Sequence, residues 1–417
     1  MKKILFFFTA TYPFGTGETF IENEITYLAQ SFDSIIIVSN NTTDTKTRKI
    51  PDNVKLERLN YELSLIQKIY SLKNIFHPLF WKEISIIRKK YALPLSKLIL
   101  TTALQTLQKA ISWHTHIASI IQKHTSPEDS VYLYSYWNND TAVALSHFYN
   151  THTKKIHTCI SRAHGWDVYF EVNKAQYLPY RQYILEKSNG VYFIAKKGAC
   201  YYEKLFPEYL YKIHVSHLGV KPQNTQKNKD FSHIRIVSCS NIIPVKRVDL
   251  IAQTLEKISP TISIEWIHFG TGNELDKVQA YCNTHLDDKA HISYFFAGRK
   301  SNTDIIQYYK TNYIDLFINL SSSEGIPVSI MEAQSFGIPC IATNVGGTGE
   351  LITHTRNGIL IPAHTSSHNI AQAIESYIAL PEYEQKEYRK AAHSKIHTQF
   401  NAEKNYIQFI RHTLLEA

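Results

Sequence analysis

Two glutamates, Glu324 and Glu332, stand eight residues apart in a stretch whose chemistry they would dominate. The stretch, Asp315 to Pro362, is DLFINLSSSEGIPVSIMEAQSFGIPCIATNVGGTGELITHTRNGILIP. It reads as strand, loop, helix, strand, Gly-rich turn, helix, strand. No Lys or Arg occurs from Ser321 to Thr355, so neither carboxylate has a cation close in sequence. Ile330, Met331 and Ala333 flank Glu332 and imply a semi-buried side chain. A buried carboxylate is costly unless something hydrogen-bonds it. Hydroxyl groups of a bound sugar or ribose would do so. The eight-residue spacing alone arises by chance; its setting makes it specific. Glu324 falls in the loop after the strand, and Pro327 opens the next helix. Parallel α/β sheets bind ligands at such strand ends. The backbone of Gly325-Ile326-Pro327-Val328 offers helix N-terminal amides to phosphate oxygens.

Other strand ends carry complementary groups. Lys246 and Arg247 follow Ser238-Cys239-Ser240-Asn241 at a strand–helix junction, where a basic pair neutralises a diphosphate. A surface pair beside a helix is the alternative. His164 sits in Ser161-Arg162-Ala163-His164-Gly165-Trp166-Asp167, a Gly-containing turn after the apolar stretch Ile156–Ile160. Gly15 and Gly17, between the first strand and first helix, let backbone approach a ligand closely; many tight turns look the same. Tyr136-Trp137-Asn138-Asn139-Asp140 follows another strand and would either line an acceptor site or pack as an aromatic pair.

These residues carry a family resemblance over nearly the whole chain. S-S-S-E-G-I-P-V-S-I-M-E-A-Q-S-F-G-I-P-C-I-A-T-N-V-G-G-T-G-E-L-I, residues 321–352, resembles the donor-sugar signature of the retaining family 4 glycosyltransferases (group 1 glycosyl transferases). The resemblance implies the GT-B fold, two Rossmann-like domains facing across a cleft, and a UDP- or GDP-sugar donor. It implies catalytic roles for His164, near the anomeric carbon, and Glu324, on donor-sugar hydroxyls. Glu332 would hold the ribose. Lys246, with Arg247, would hold the diphosphate. Asn241 stands where the family's Arg-x4-Lys element usually has its arginine. Gly15, Gly17, Arg162 and the segment Gly325, Ile326, Pro327, Val328 complete the implied donor site; Tyr136 and Trp137 would meet the acceptor. No D-x-D or zinc pattern occurs in the sequence, and Lys246, Arg247 and amides would neutralise the diphosphate without a metal or other cofactor.

Positioning these residues requires strands feeding helices throughout. Strand-like runs occur at Ile4–Thr9, Ser34–Ser39, Val131–Ser135 and Val191–Ile194. They resume at Ile234–Ser238, Ile262–Phe269, Leu316–Leu320, Cys340–Ala342 and Gly358–Ile361. Alternation with helical patterns predicts parallel α/β architecture. The expected organisation is an acceptor-side domain over 1–220 with a helical insertion at about 62–123. A linker at 221–233, a nucleotide-sugar domain over 234–400, and a helix over 401–417 crossing back to the first domain complete it.

Hydrophobic residues make up 44% of the chain and charged residues 19%, ordinary for a soluble globular protein. No apolar run reaches the roughly 18 residues of a membrane span. MKKILFFFTA reads as a first strand rather than a secretory start, since no small-residue cleavage pattern follows. The five scattered cysteines fit a reducing cytoplasm. Net charge is +9, and Ser64–His124 holds nine Lys or Arg against the single acid Glu83. With Phe76, Phe80, Trp81 and Trp113 alongside, the segment suits peripheral docking on the inner membrane or a solvated helical face. Nucleic acid is not expected, because no recognised binding motif accompanies the charge. The expected function is transfer of a sugar to a glycan or lipid-linked acceptor, in surface polysaccharide biosynthesis. The alternatives are an NDP-sugar epimerase or phosphorylase on the same scaffold, or a non-catalytic sugar- or membrane-binding protein.

Overall fold

The computed structural model describes residues 1–415 except 16, 41–43, 61, 153–155, 225–228 and 230–232. Most of the expected linker, and the last two residues of the expected terminal helix, lie outside the described residues. The chain forms two compact units, Met1–His217 with the residues from Tyr406 on, and Leu218–Asn405.

In the first unit, runs such as KILFFFT and SIIIVS are apolar on both faces, as strands in the middle of a parallel sheet must be. The strands are β1 (Lys3–Thr9), β2 (Ser34–Ser39), β3 (Val54–Arg58), β4 (Ser130–Ser135), β5 (Ile156–Ala163), β6 (Gly190–Phe193) and β7 (Ile213–Val215). They pair in parallel in the order β3-β2-β1-β4-β5-β6-β7, with Phe6 opposite both Ile36 and Leu133. One face packs Phe6, Leu133 and the helix Lys97–His124 through Leu107 and Trp113. The other packs Leu5, Phe7 and Tyr134 against Phe409, Ile410 and Leu414 of the returning chain. Between β3 and β4 stand the helices Leu65–Tyr70, Pro78–Lys89 and Lys97–His124 and a 3₁₀ turn, Ser71–Phe76.

The second unit repeats the plan. Its strands are β8 (Ile234–Cys239), β9 (Ile264–Phe269), β10 (Ile292–Gly298), β11 (Leu316–Asn319), β12 (Cys340–Thr343) and β13 (Gly358–Ile361). All are parallel, in the order β10-β9-β8-β11-β12-β13. In each sheet the order reverses once, between β1 and β4 and between β8 and β11. Loops leaving those neighbouring strands diverge and open a crevice at the carboxyl ends.

The strands missing from the sequence reading are β3, β7 and β10. All three sit at or beside a sheet edge. β3 and β7 show no continuous apolar run, and the run Tyr294–Ala297 of β10 is partly exposed, Phe295 above all.

Candidate active site

In the second unit the loops after β8 and β11 bring a cation to an anion. Lys246 ends a 3₁₀ turn, Pro244–Lys246, and its Nζ lies 2.7 Å from Glu324 Oε1. Asn319 Nδ2 donates to the same oxygen at 3.3 Å. Glu324, without a cation nearby in sequence, thus gains one from 78 residues away, across the switch point of the sheet.

Backbone packing fixes both loops. Ser322 N donates to Val245 O at 2.8 Å, tying the two together. Gly346 has φ +50°, and a Cβ there would lie 1.7 Å from Glu324 O. Gly347 N donates to Gly325 O at 2.6 Å. Only glycine permits so close a backbone approach. The Ser240–Lys246 loop rests likewise on Gly270-Thr271-Gly272, where a Cβ on Gly270 would lie 1.8 Å from Ser240 O. Beneath it, His268 Nε2 meets Ser240 O at 3.1 Å and Nδ1 meets Ser238 Oγ at 2.8 Å. Burial pushes the imidazole down to about 4, so it is neutral near pH 7. Nε2 must then donate to the carbonyl, and Nδ1 accepts from the Ser238 hydroxyl.

Glu332, half-buried on the helix Val328–Ser335, accepts from Asn302 Nδ2 at 2.5 Å. Burial pushes its carboxyl up to about 7, against the lowering effect of that hydrogen bond. The helix has no side-chain cap on Pro327. The N–H groups of Gly325, Ile326, Val328 and Ser329 make no hydrogen bond among the described residues. Asn241 is exposed beside this loop pair. Arg247 departs from expectation. Its guanidinium donates to Leu320 O at 2.5 Å, Ala363 O at 2.7 Å and Ser321 O at 3.1 Å. It holds the switch-point backbone and is not free to meet a diphosphate.

In the first unit Asp167 builds the turn after β5. Its Oδ1 accepts from His164 N at 2.8 Å and Gly165 N at 3.0 Å, and Oδ2 from Asn138 N at 2.9 Å. The His164 ring packs 4.4 Å from Trp137 and 4.7 Å from Tyr136, centroid to centroid. Neither ring nitrogen has a hydrogen-bond partner, although the residue is buried. Trp166, half exposed, lies 5.3 Å beyond Trp137.

Three expectations for this unit change. Arg162 is fully buried; it pairs with Glu24 at 3.0 Å and covers the Phe409 ring at 4.1 Å. It is therefore a core residue with no access to a donor. Tyr136 is equally buried and backs the His164 ring rather than meeting an acceptor. The turn carrying Gly15 and Gly17 is closed by Glu18, whose carboxylate accepts from Ala10 N at 2.9 Å, Thr11 N at 2.6 Å and Tyr12 N at 2.6 Å. Trp137 Nε1 donates to it as well, at 2.6 Å. The amides of Ala10, Thr11 and Tyr12 are thus already filled. The sequence reading missed Glu18; its signal was an acid directly after a G-x-G turn.

Two doubly wound parallel sheets, joined in one chain, define a two-unit α/β protein of the GT-B class. Over residues 221–395 the chain matches the model for glycosyl transferases group 1. It is 28% identical over 194 residues to N-acetyl-alpha-D-glucosaminyl L-malate synthase of Bacillus anthracis, covering 45% of this chain and 48% of that one. It is 27% identical over 206 residues to the amylovoran biosynthesis glycosyltransferase AmsK of Erwinia amylovora, covering 47% and 49%. These matches thus span about half the length of each relative. Among solved structures, the lipopolysaccharide outer core galactosyltransferase WaaB matches over 99% of this chain and 98% of its own, with TM-score 0.67 and 16% identity. HepE of Anabaena matches over 100% of both chains, with TM-score 0.65 and 14% identity. Likeness at that identity establishes the fold.

Proposed function

We propose that this protein is a retaining glycosyltransferase that moves a sugar from a nucleotide-sugar donor to a glycan or lipid-linked acceptor in surface polysaccharide assembly. The observation that carries the reading is the Lys246–Glu324 pair at the switch point, beside the unbonded amides of Gly325 to Ser329. A diphosphate arriving there takes the Lys246 ammonium and the amides, which frees Glu324 to accept from donor-sugar hydroxyls. As the bond from the anomeric carbon to the diphosphate breaks, negative charge grows on the leaving oxygen. Lys246 and the helix N-terminus stabilise that charge where it develops. Glu332 accepts from the ribose hydroxyls. His164, whose Nε2 has no hydrogen-bond partner and whose Nδ1 lies 3.7 Å from Asp167 Oδ2, meets the sugar's reacting face. Retention rests on the likeness of residues 321–352 to the retaining signature.

Relatives support the donor class. HepE was solved with UDP and with UDP-glucose, and one curated relative is named a GDP-mannose-dependent alpha-mannosyltransferase. The acceptor reading moves from Tyr136 to Trp166. Trp166 borders a cavity of about 300 Å³ that Thr102, Gln105, Asn139 and the Lys109–Asp140 ion pair also line. One aromatic plate among hydroxyl and amide groups suits a sugar ring. A polysaccharide acceptor is supported by the names of two relatives, glycosyltransferases of amylovoran and of O-antigen biosynthesis; its location at the inner face of the membrane is part of the proposal.

The test is thermal stabilisation by a panel of nucleotide sugars, with EDTA present. A UDP- or GDP-sugar is expected to raise Tm, since a ligand that binds only the native state stabilises it. An absolute requirement for a divalent ion, or no response to any nucleotide, would overturn the donor reading. Sugar isomerised without acceptor would identify an epimerase instead.

A further inference from the structure

The segment from Leu65 to Trp81 is folded inside out for a surface in water. The helix Leu65–Tyr70 buries none of its residues, although Leu65, Ile66 and Ile69 make up half of it. In the 3₁₀ turn that follows, the polar Ser71 and Asn74 are the buried residues. Leu72 and Ile75 are exposed, Phe76 is 87% exposed and Trp81 56%. The arrangement is anchored rather than frayed. Ser64 and Gln67 cap the helix reciprocally. Asn74 Nδ2 donates to Gln108 Oε1 at 3.0 Å, on the helix Lys97–His124. Trp81 Nε1 donates to Ile75 O at 2.6 Å. A contiguous exposed apolar face of this kind marks an interaction site.

Charge says what covers it. Lys68, Lys73, Arg88, Lys89 and Lys97 are exposed and form no ion pair among the described residues. The segment's acid, Glu83, is buried beneath Tyr177 OH at 2.6 Å and Tyr180 N at 2.9 Å. Residues 65–81 are therefore an apolar face that carries Lys68 and Lys73 and contains no carboxylate. No described helix is long and apolar enough to cross a membrane.

We propose that residues 65–81 insert into the interfacial layer of a bilayer bearing anionic headgroups. Leu65, Ile66, Ile69, Leu72, Phe76 and Trp81 enter the acyl boundary while Lys68 and Lys73 meet phosphates. This deepens the membrane placement above and replaces its residues. Phe80 and Trp113 are core residues. Lys82, Lys109 and Lys123 are paired with Glu186, Asp140 and Glu57, and Lys90 with Glu208. Docking depends on this face alone and needs no catalytic group.

The experiment is co-sedimentation of the full chain with phosphatidylcholine vesicles, with and without phosphatidylglycerol, at low and high salt. Binding is expected only with the anionic lipid, and brominated acyl chains are expected to quench Trp81. The combined variant Leu65→Ser, Ile69→Ser, Phe76→Ser should lose binding by about tenfold or more at either salt. Lys68→Glu with Lys73→Glu should lose it mainly at low salt, where screening is weak. Nucleotide-induced stabilisation, measured on the same variants, reports that they remain folded. Nucleotide binding without vesicle binding would overturn this proposal alone; vesicle binding without nucleotide binding would overturn the enzymatic reading alone. Equal vesicle binding by the serine variant and the parent would also overturn the proposal. So would a dimer that the serine substitutions dissolve, because a second copy would then cover the face.

Discussion

Lys246 and Glu324 neutralise one another while no ligand is bound, and that sets what each loss should do. Glu324→Ala frees the ammonium, so a nucleoside diphosphate should still bind. Turnover should fall by about 10²-fold or more, as losses of key electrostatic groups do. His164→Ala is expected to lower turnover alike, with a loss of stability limited to its ring packing on Tyr136 and Trp137. Steady-state kinetics beside denaturant melts check both; turnover close to the parent's would remove either residue from the site. Glu332 gives a pH signature. Its carboxyl sits at about 7 in the fold against 4.5 ordinarily. The folded state therefore binds the proton more tightly, and stability falls as pH rises between those values. Glu332→Gln should gain stability relative to the parent at about pH 8 but not at about pH 5. Ribose hydroxyls donate best to the ionised form, so parent UDP affinity should climb through that window more steeply than the variant's. Parallel calorimetric titrations of parent and variant decide it. That Glu324, Lys246 and His164 stand on strand-end loops and Glu332 on the next helix was legible because their neighbours are specific. Arg162 and Arg247 were not. A guanidinium serves a phosphate, a carboxylate or three carbonyls equally well, and the partners that decide lie on other strands.

At the scale of elements, loops at the switch point of the second unit carry Lys246 and Glu324, and glycine sets how closely they stack. Gly346→Ala adds a Cβ that would fall 1.7 Å from Glu324 O, at a φ of +50°. The loop must shift. The expected cost is about 1–3 kcal/mol, with nucleotide binding lost more completely than stability. Denaturant unfolding and calorimetry on one preparation separate the two, and an unchanged nucleotide affinity would show that the loop position does not matter. Central strands announced themselves by apolar runs, whereas the edge strands β3 and β7 did not. The Gly270-Thr271-Gly272 turn, a G-x-G directly after a strand, went unremarked in the sequence, and its purpose shows only in the fold. It exists to admit Ser240 O and Ile242 O, and contacts between loops thirty residues apart leave no local pattern.

For the whole molecule, the first unit is discontinuous in sequence. Phe409, Ile410 and Leu414 complete one face of its sheet, and the Phe409 ring lies under the buried Arg162. Ending the chain at Asn405 should strip those side chains from the core and leave the Arg162–Glu24 pair partly uncovered. At roughly 1.5–3 kcal/mol per large apolar side chain, the first unit should lose on the order of 5 kcal/mol. The second unit should keep its fold and its response to nucleotide. Hydrogen exchange read unit by unit tests this; uniform protection in the shortened chain would show that the returning residues are dispensable.

That discontinuity orders events during synthesis. A ribosome releases residues 218–405 before the segment that closes the first sheet, so the domain begun first is finished last. Until Phe409 emerges, the nascent chain carries Leu5, Phe7 and Tyr134 with one flank open. Stalled chains of increasing length should therefore become protease-resistant in the second unit first, and resistant in the first unit only once residues 406–415 have cleared the exit tunnel.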